Sequence, residues 1–189
     1  VYNVAPYLDA CLSSCVNQTF RDMEIIVVND GSTDESSRII QRYAEKDDRV
    51  VVITKENQGL IYARKSGLDI AKGEYIFHLD GDDYVEADAI EMLYDEVIKQ
   101  EADYVVANYY EVVGNERYEV RRNNRFKGLS GQDLFLCMLR GGFELCMRLI
   151  RRSLFDGIAY KPLVIGEDLF TTCLLYTSDA ADDLTRVDL

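Results

Sequence analysis

An apolar run opens onto a cluster of acids in the stretch Tyr75-Ile76-Phe77-His78-Leu79-Asp80-Gly81-Asp82-Asp83. The run predicts a buried strand, and three carboxylates follow at its carboxyl end. Two carboxylates ~4 Å apart repel each other by ~4 kcal/mol at an effective dielectric of 20, so the cluster needs water or a cation among its members. In open α/β sheets, ligands bind beyond the carboxyl ends of the strands. An Asp-x-Asp pattern there favours a hard divalent ion, Mg²⁺ or Mn²⁺, shared with a diphosphate.

Strands and helices alternate on both sides of this stretch, a pattern typical of βαβ units joined into a mostly parallel sheet. Short apolar, β-branched runs predict four strands, at Glu24–Asn29, Val50–Thr54, Glu74–Leu79 and Asp103–Val113. Apolar residues at helical spacing predict helices from Pro6 to about Thr19, after a Ser32–Glu35 capping box, at Leu60–Ala71 and at Ala87–Lys99. The predicted fold class is α/β, a Rossmann-like, mostly parallel sheet flanked by helices, with a smaller lobe.

The pattern divides the chain into three segments. The α/β half covers residues 1–107, and the smaller lobe, where the pattern becomes irregular, covers residues 108–175. Residues 176–189 are a polar tail without an apolar period, either a frayed terminus or a sequence foreign to the gene. Because the first residue is Val1 rather than Met, we interpret the chain as a fragment.

The composition argues against several classes of protein. The chain has 189 residues, of which 48% are hydrophobic and 29% charged, and its formal net charge is −13. This charge argues against a nucleic-acid partner, because binding of phosphates needs a basic surface. Five scattered cysteines without a Cys-x-x-Cys pair fit a reducing compartment. No apolar run approaches ~18 residues and no signal peptide is recognisable, so we expect a cytoplasmic location, including the inner face of the membrane.

Four polar motifs follow predicted strands in order: the first follows a strand that ends near Val1, and the others follow Glu24–Asn29, Val50–Thr54 and Glu74–Leu79. The motifs are Tyr2-Asn3, Val28–Asp34, Asn57–Gly59 with Ala63–Gly67, and Leu79–Asp83. Because each motif stands at the carboxyl end of a strand, we expect them to line one crevice. The set resembles the family 2 glycosyltransferases, a GT-A-fold group that includes bacterial capsule and lipopolysaccharide sugar transferases. The resemblance extends from Val1 to about Thr172, and it implies a nucleotide-sugar site in residues 1–107 and an acceptor-side lobe in residues 108–175.

The resemblance assigns the nucleotide-sugar donor to residues of all four motifs. Asp30 matches the acid that receives the N–H of a uracil ring, although from the residues alone it is also a turn-forming Asp before a glycine. Gly59 would permit a close approach of the backbone at the start of a helix. Asp34 is better explained as an acid that faces a helix dipole. The donor-binding residues that the resemblance implies are Tyr2, Asn3, Asp30, Asn57, Gly59, Arg64 and Asp80.

The resemblance also implies a metal ligand and a catalytic base. Asp82 would bind Mn²⁺ or Mg²⁺, and Asp83 would support the ligands from behind. Asp168 matches the base that takes the proton of the acceptor hydroxyl, while Glu167 would orient that base or contact the acceptor. The alternative for the last two acids is a negatively charged helix N-terminus, which is frequent on surfaces.

The implied reaction moves a sugar from a UDP-linked donor to a hydroxyl of a glycan or lipid-linked acceptor, with inversion, in cell-surface polysaccharide synthesis. Basic residues of the second lobe would face the phosphates of such an acceptor or an anionic membrane, or would form a solvated surface. They are Arg121, Arg122, Arg125, Lys127, Arg148, Arg151 and Arg152. Two alternatives stay open at this point: a nucleotidyltransferase, and a non-catalytic module that binds sugar nucleotides or glycans.

Overall fold

The computed structural model describes residues 1–114, 116–120, 146–157 and 186–188. These residues fall into two compact units. The first unit contains Val1–Glu74 and Leu79–Glu91, and the second contains Tyr75–His78 and the described residues from Met92 onward. The units do not follow the order of the chain, and the division predicted near residue 107 stays a prediction.

The first unit packs helices against a parallel pair of strands. Its elements are α1 (Ala5–Val16), β1 (Ile25–Asn29), α2 (Ser36–Ala44), β2 (Val50–Thr54) and α3 (Leu60–Ile70). The two strands pair in register from Ile25 opposite Val50 to Asn29 opposite Thr54. Alternate residues of β1 are buried, and they pack with one face of α1 and of α2. The buried core of this unit is formed by Leu8, Leu12, Ile25, Val27, Ile40 and Val50.

The amino termini of α1 and α2 share one carboxylate. Asp34 Oδ2 accepts a hydrogen bond from the Ala5 backbone N–H at 3.0 Å, and Asp34 Oδ1 accepts one from the Ser36 backbone N–H at 3.0 Å. The predicted capping box of Ser32 and Glu35 is wrong, because the Ser32 hydroxyl accepts the N–H of Asn3 instead and Glu35 makes no cap hydrogen bond. The interpretation of Asp34 as an acid at a helix start is confirmed, and one side chain satisfies orphan N–H groups of two helices.

The second unit is built on a mixed sheet. Its elements are β3 (Tyr75–Phe77), most of α4 (Ala89–Gln100), β4 (Tyr104–Val106), β5 (Tyr109–Val113), β6 (Glu116–Val120), β7 (Arg148–Arg151), a 3₁₀ turn (Arg152–Phe155) and β8 (Arg186–Asp188). The strand order is β3-β7-β4-β8, and β5 and β6 form a separate hairpin. The α/β class is confirmed, but pairing is less parallel than predicted: β7 runs antiparallel to both β3 and β4, whereas β4 and β8 are parallel.

The long strand predicted at Asp103–Val113 is two strands. All three residues of β4 are buried in the mixed sheet, whereas β5 is largely exposed and pairs with β6. The two strands therefore belong to different sheets, and Ala107 and Asn108 between them are not part of a strand. His78 is half-buried and packs edge-on against Phe155, with 5.8 Å between ring centroids.

Two of the predicted surface arginines are structural instead. Arg148 is 1% exposed and donates to the hydroxyl of Tyr104. Arg151 pairs with the Asp103 carboxylate, and its guanidinium lies 4.8 Å from the ring centroid of Tyr75. Neither side chain is free to form a basic patch. Within the described ranges, none of the helices is long and apolar enough to span a bilayer.

Candidate functional site

The first motif runs beside the end of β1. The Val1 nitrogen donates to the Val28 carbonyl at 2.8 Å, and the Val1 carbonyl accepts the N–H of Asp30 at 2.9 Å. Asn3, which has a φ of 52°, receives the Thr33 N–H on its side-chain oxygen at 2.8 Å. Tyr2, between these anchors, is 50% exposed. The backbone of the first motif is therefore fixed to the turn after β1, while the Tyr2 ring is left at the surface.

Asp30 is the most enclosed of the predicted site residues that the structure describes. Its side chain is 4% exposed, and its Oδ1 pairs with Lys55 Nζ at 2.9 Å. The same carboxylate accepts the backbone N–H of Gln58 at 3.2 Å and that of Gly59 at 2.9 Å. The carboxylate thus binds the loop that follows β2 to the turn that follows β1. An ionised buried carboxylate with a cation and two N–H donors is well satisfied.

Gly59 precedes α3 in a backbone conformation that favours glycine. A Cβ added to Gly59 would meet no heavy atom of the chain within 4 Å, and the close approach of a donor to this residue stays a prediction. Its φ of +91° and ψ of 166° lie in a region that only glycine adopts without strain. This conformation directs the Gly59 N–H at Asp30 and starts the helix. Asn57 is exposed on the same loop.

Arg64 links α3 to the acidic residues after β3. Arg64 Nη2 donates to Asp80 Oδ1 at 3.0 Å, and the Arg64 side chain is 10% exposed whereas that of Asp80 is 34% exposed. One oxygen of Asp80 is therefore engaged by a guanidinium inside the protein. The prediction had assigned Arg64 to the donor base or phosphate, and the ion pair adds a second role, that of orienting Asp80.

The residues Asp80–Asp83, hereafter the acidic turn, rest on α1. The Asp83 N–H donates to the Asp80 carbonyl at 3.1 Å, and the same carbonyl accepts the Cys11 thiol at 3.5 Å. Asp82 and Asp83 are exposed. Partial burial of the carboxyl group, together with the charges of Asp82 and Asp80, raises the pKa of Asp83. The acidic turn therefore brings three negatively charged side chains close together, and two of them are exposed to solvent.

The described contacts bring the four predicted motifs together within the first unit. Asp30 contacts the residue before the first motif and the start of α3, and Arg64 of α3 contacts Asp80. Glu167 and Asp168 lie outside the described residues. Lys55 was missed by the sequence analysis, although the parallel register predicts it: Asn29 lies opposite Thr54, so the next residues, Asp30 and Lys55, are neighbours.

Comparisons with known proteins identify the class. The whole chain superposes on Staphylococcus aureus TarS with a TM-score of 0.80 at 21% sequence identity, covering 56% of that chain. It also superposes on the mannosyltransferase PcManGT from Pyrobaculum calidifontis, with a TM-score of 0.69 at 18% identity and 52% of that chain covered. These likenesses define the fold, which is the GT-A fold of glycosyltransferases.

The family follows from the sequence. Residues 1–159 match the description "Glycosyl transferase family 2". Over 190 aligned residues the chain is 46% identical to the glycosyltransferase GlyA of Streptococcus pneumoniae, an alignment that covers 93% of this chain and 27% of GlyA. The protein belongs to glycosyltransferase family 2. The chain spans about a quarter of the length of GlyA and about half of the two solved structures.

Proposed function

We propose that this chain carries the donor side of an inverting, metal-dependent glycosyltransferase that acts in cell-surface polysaccharide synthesis. Its donor would be UDP-linked and its acceptor a hydroxyl of a glycan or a lipid-linked sugar. The observation that carries the proposal is the continuous set of contacts from the first motif through Asp30 and Arg64 to the acidic turn. These contacts bring the residues assigned to the nucleotide-sugar donor and the exposed carboxylates of the acidic turn together within the first unit.

The donor base and ribose are assigned to the loops around Asp30. These loops supply an aromatic ring for stacking, that of Tyr2 at the surface. They also supply hydrogen-bonding groups, namely the Asn3 backbone, the exposed Asn57 amide and the Arg64 guanidinium. A carboxylate has about four acceptor sites, and Asp30 already accepts from Lys55 Nζ, from the Gly59 N–H and, on both oxygens, from the Gln58 N–H. In our proposal a base N–H takes the place of the shared Gln58 contact on one of these oxygens. Structures of TarS are described as complexes with UDP and with UDP-GlcNAc, which supports a uridine donor.

The carboxylates of the acidic turn fit a divalent cation. Mg²⁺ and Mn²⁺ prefer carboxylate oxygens, and Asp82 offers an exposed carboxylate next to Asp80 and Asp83. In our proposal Asp82 binds the ion, Asp80 binds the ribose or the diphosphate, and Asp83 supports them. A bound cation would stabilise the charge that develops on the leaving diphosphate. PcManGT is described as a complex with GDP-Man and Mn²⁺, which supports this assignment.

Asp168 is the proposed catalytic base, with Glu167 orienting it or contacting the acceptor. The acceptor oxygen would form a bond to the anomeric carbon as the bond from that carbon to the diphosphate oxygen breaks. Asp168 would take the hydroxyl proton as the attack proceeds. Attack from the face opposite the leaving group inverts the anomeric centre. We further propose a cytoplasmic location at the inner face of the membrane, where a lipid-linked acceptor is within reach.

Calorimetric titration with UDP, with and without Mn²⁺, tests the donor and metal assignments. We expect Mn²⁺ to strengthen the binding of UDP to the wild-type chain and the Asp82→Asn variant to lose this gain. Binding of UDP that does not depend on Mn²⁺ would contradict the assignment of Asp82.

A comparison of binding with turnover tests the catalytic base. We expect Asp168→Asn to retain UDP binding and to lose sugar transfer, measured as release of UDP from a UDP-sugar in the presence of acceptor. Equal turnover by the variant would remove Asp168 as the base. Release of pyrophosphate from UTP in the presence of a sugar phosphate would favour a nucleotidyltransferase, and binding of donor without any turnover in the wild type would favour a non-catalytic module.

A further inference from the structure

Gln18 is a fully buried polar side chain that the proposed chemistry does not use. It lies just after α1 and is 0% exposed. Its Nε2 donates to the Ser14 carbonyl at 3.1 Å and to the Glu86 carbonyl at 2.7 Å, and its Oε1 accepts the Ile90 N–H at 3.1 Å. The Ile90 N–H belongs to the first turn of α4, where backbone donors have no partner within their own helix. The Gln18 amide therefore satisfies backbone groups both in α1 and in the segment that leads into α4.

Two neighbours of Gln18 extend this contact. The Ser14 hydroxyl accepts the Val85 N–H at 3.2 Å, and the Thr19 N–H donates to the Ala87 carbonyl at 2.8 Å. The Thr19 hydroxyl donates to the Glu91 carboxylate at 2.6 Å. The segment 85–91, which follows the acidic turn, is thus bound along its length to the end of α1.

The acidic turn itself is held by the other half of α1. The Cys11 thiol donates to the Asp80 carbonyl, and Gly81 packs so closely that an added Cβ would lie 3.0 Å from Val4 Cγ2 and 3.9 Å from Leu8 Cδ1. The residues 80–91 therefore lie on α1 from one end to the other. The contacts of this segment with α1 and with the Gln18 amide therefore fix the positions of the Asp80 and Asp82 carboxylates.

We propose that Gln18 is a positioning residue for the metal-binding carboxylates, acting through the segment 85–91. The metal part of this inference rests on the proposed function. An amide suits the position because it supplies two donors and an acceptor to two carbonyls and an N–H, whereas an apolar side chain would leave those buried groups unsatisfied. Residues that orient metal ligands from behind typically change metal affinity by about 10–100-fold when they are replaced.

The test compares Gln18→Leu with a variant that destabilises the same unit elsewhere. Ile40→Ala removes a side chain that is 2% exposed in the core of the first unit. Asn17→Ala is a matched amide control, because the Asn17 side chain donates to the carbonyl and the hydroxyl of Ser13 in the last turns of α1. Hydrogen exchange of peptides covering 80–91 reports how firmly the segment is held, and Mn²⁺ titration followed by electron paramagnetic resonance, with UDP present, reports the metal affinity.

We expect Gln18→Leu to speed exchange of the 80–91 amides by about tenfold or more and to weaken Mn²⁺ affinity by about 10–100-fold. Gln18→Glu keeps an acceptor for the Ile90 N–H but places a carboxylate oxygen against two carbonyls in a fully buried position, so it should disturb the segment at least as much as Gln18→Leu. Ile40→Ala should lower the melting temperature with little change in Mn²⁺ affinity, and Asn17→Ala should change neither quantity.

Three results overturn the proposal: unchanged exchange at 80–91 in Gln18→Leu, faster exchange with unchanged Mn²⁺ affinity, or an equal loss of Mn²⁺ affinity in Ile40→Ala. A wild-type chain that binds no Mn²⁺ in the presence of UDP contradicts the proposed function instead. In that case the exchange measurement, which needs no metal, still decides whether Gln18 holds the acidic turn.

Discussion

The turn after β1 and the acidic turn after β3 both begin with an aspartate, yet they use it differently. Asp30 is 4% exposed and its carboxylate is bound by Lys55 and by two backbone N–H groups. In the acidic turn, Asp80 shares one oxygen with Arg64, while Asp82 and Asp83 are exposed. The first turn uses its charge to hold loops together, and the second keeps charge at the surface, where a ligand can reach it.

A loss of activity can come from a less stable fold or from weaker ligand binding, and the difference between the two turns separates these two effects. A buried charge that has lost its partner destabilises the fold, whereas an exposed carboxylate at a ligand site contributes little to stability. Substitutions in the first turn should therefore lower stability in addition to any loss of donor binding, whereas Asp82→Asn in the acidic turn should lower binding alone. The following predictions test this division, from the largest expected effect to the smallest.

Asp30→Asn should be the most damaging substitution. It leaves the Lys55 ammonium, 18% exposed, without its carboxylate, and breaking such a buried pair typically costs about 3–5 kcal/mol. The measurement is the free energy of unfolding from urea denaturation. Asp82→Asn is the matched control, and we expect it within about 0.5 kcal/mol of wild type. Equal stability of the two variants would break the comparison.

Gly59→Ala should destabilise the same turn by about 1–3 kcal/mol. The alanine would have to adopt a backbone conformation, φ +91° and ψ 166°, that is strained for any residue with a Cβ. Space is available at this position, so the cost comes from the backbone alone. Urea denaturation measures it, and a variant as stable as wild type would show that the loop relaxes without strain.

Arg64→Gln should destabilise the chain by about 1.5 kcal/mol, the lower end for a hydrogen bond to a charged group, because Asp80 is 34% exposed. Since the guanidinium orients Asp80, UDP affinity should fall as well. Lys65→Gln is the control one residue away, where the lysine pairs with Asp69 at the surface, and we expect no more than about 0.5 kcal/mol. A loss of stability without any loss of UDP affinity would limit Arg64 to a structural role.

Asp34 should give the smallest effect, and one that depends on pH. Hydrogen bonds from Ser36 and from the Ala5 backbone hold the pKa of Asp34 below its usual value. Its contribution to stability is therefore full above about pH 4, the ordinary range for aspartate, and is lost as the pH falls through the lowered pKa. Asp34→Asn should be less stable than wild type near neutral pH, and the difference should vanish in strong acid. Thermal unfolding across this range measures it, and a constant difference would contradict the assignment.

Much of the first unit could be predicted from the sequence, because its strands and helices carry regular apolar patterns and local signals. β1, β2 and α3 were found within a residue or so, and the four motifs were expected to converge, as their contacts now show. The capping prediction was wrong for a clear reason: Ser32 bonds to Asn3, which is distant in sequence. A local rule could not foresee that partner.

The second unit was harder to predict. β7 pairs with both β3 and β4 in antiparallel fashion, and no local pattern in Arg148–Arg151 states which strands it joins. Gln18 was overlooked for the same kind of reason, since an amide after a helix is ordinary until its partners 68 and 72 residues away are known. The pairing of β7 and the role of Gln18 depend on contacts between residues distant in sequence, which apolar periodicity does not reveal.

The close contact of Gly81 with α1 has a consequence for how this site can evolve. A methyl group at that position would already require Val4 to move by a few tenths of an ångström, and a longer side chain would have to displace Leu8 as well. Natural variation and laboratory libraries alike should accept changes at Asp82 at the expense of activity alone, whereas a change at Asp80 also removes the partner of the Arg64 guanidinium. Gly81, between the two acids, is a further position of this turn whose replacement disturbs the packing on α1.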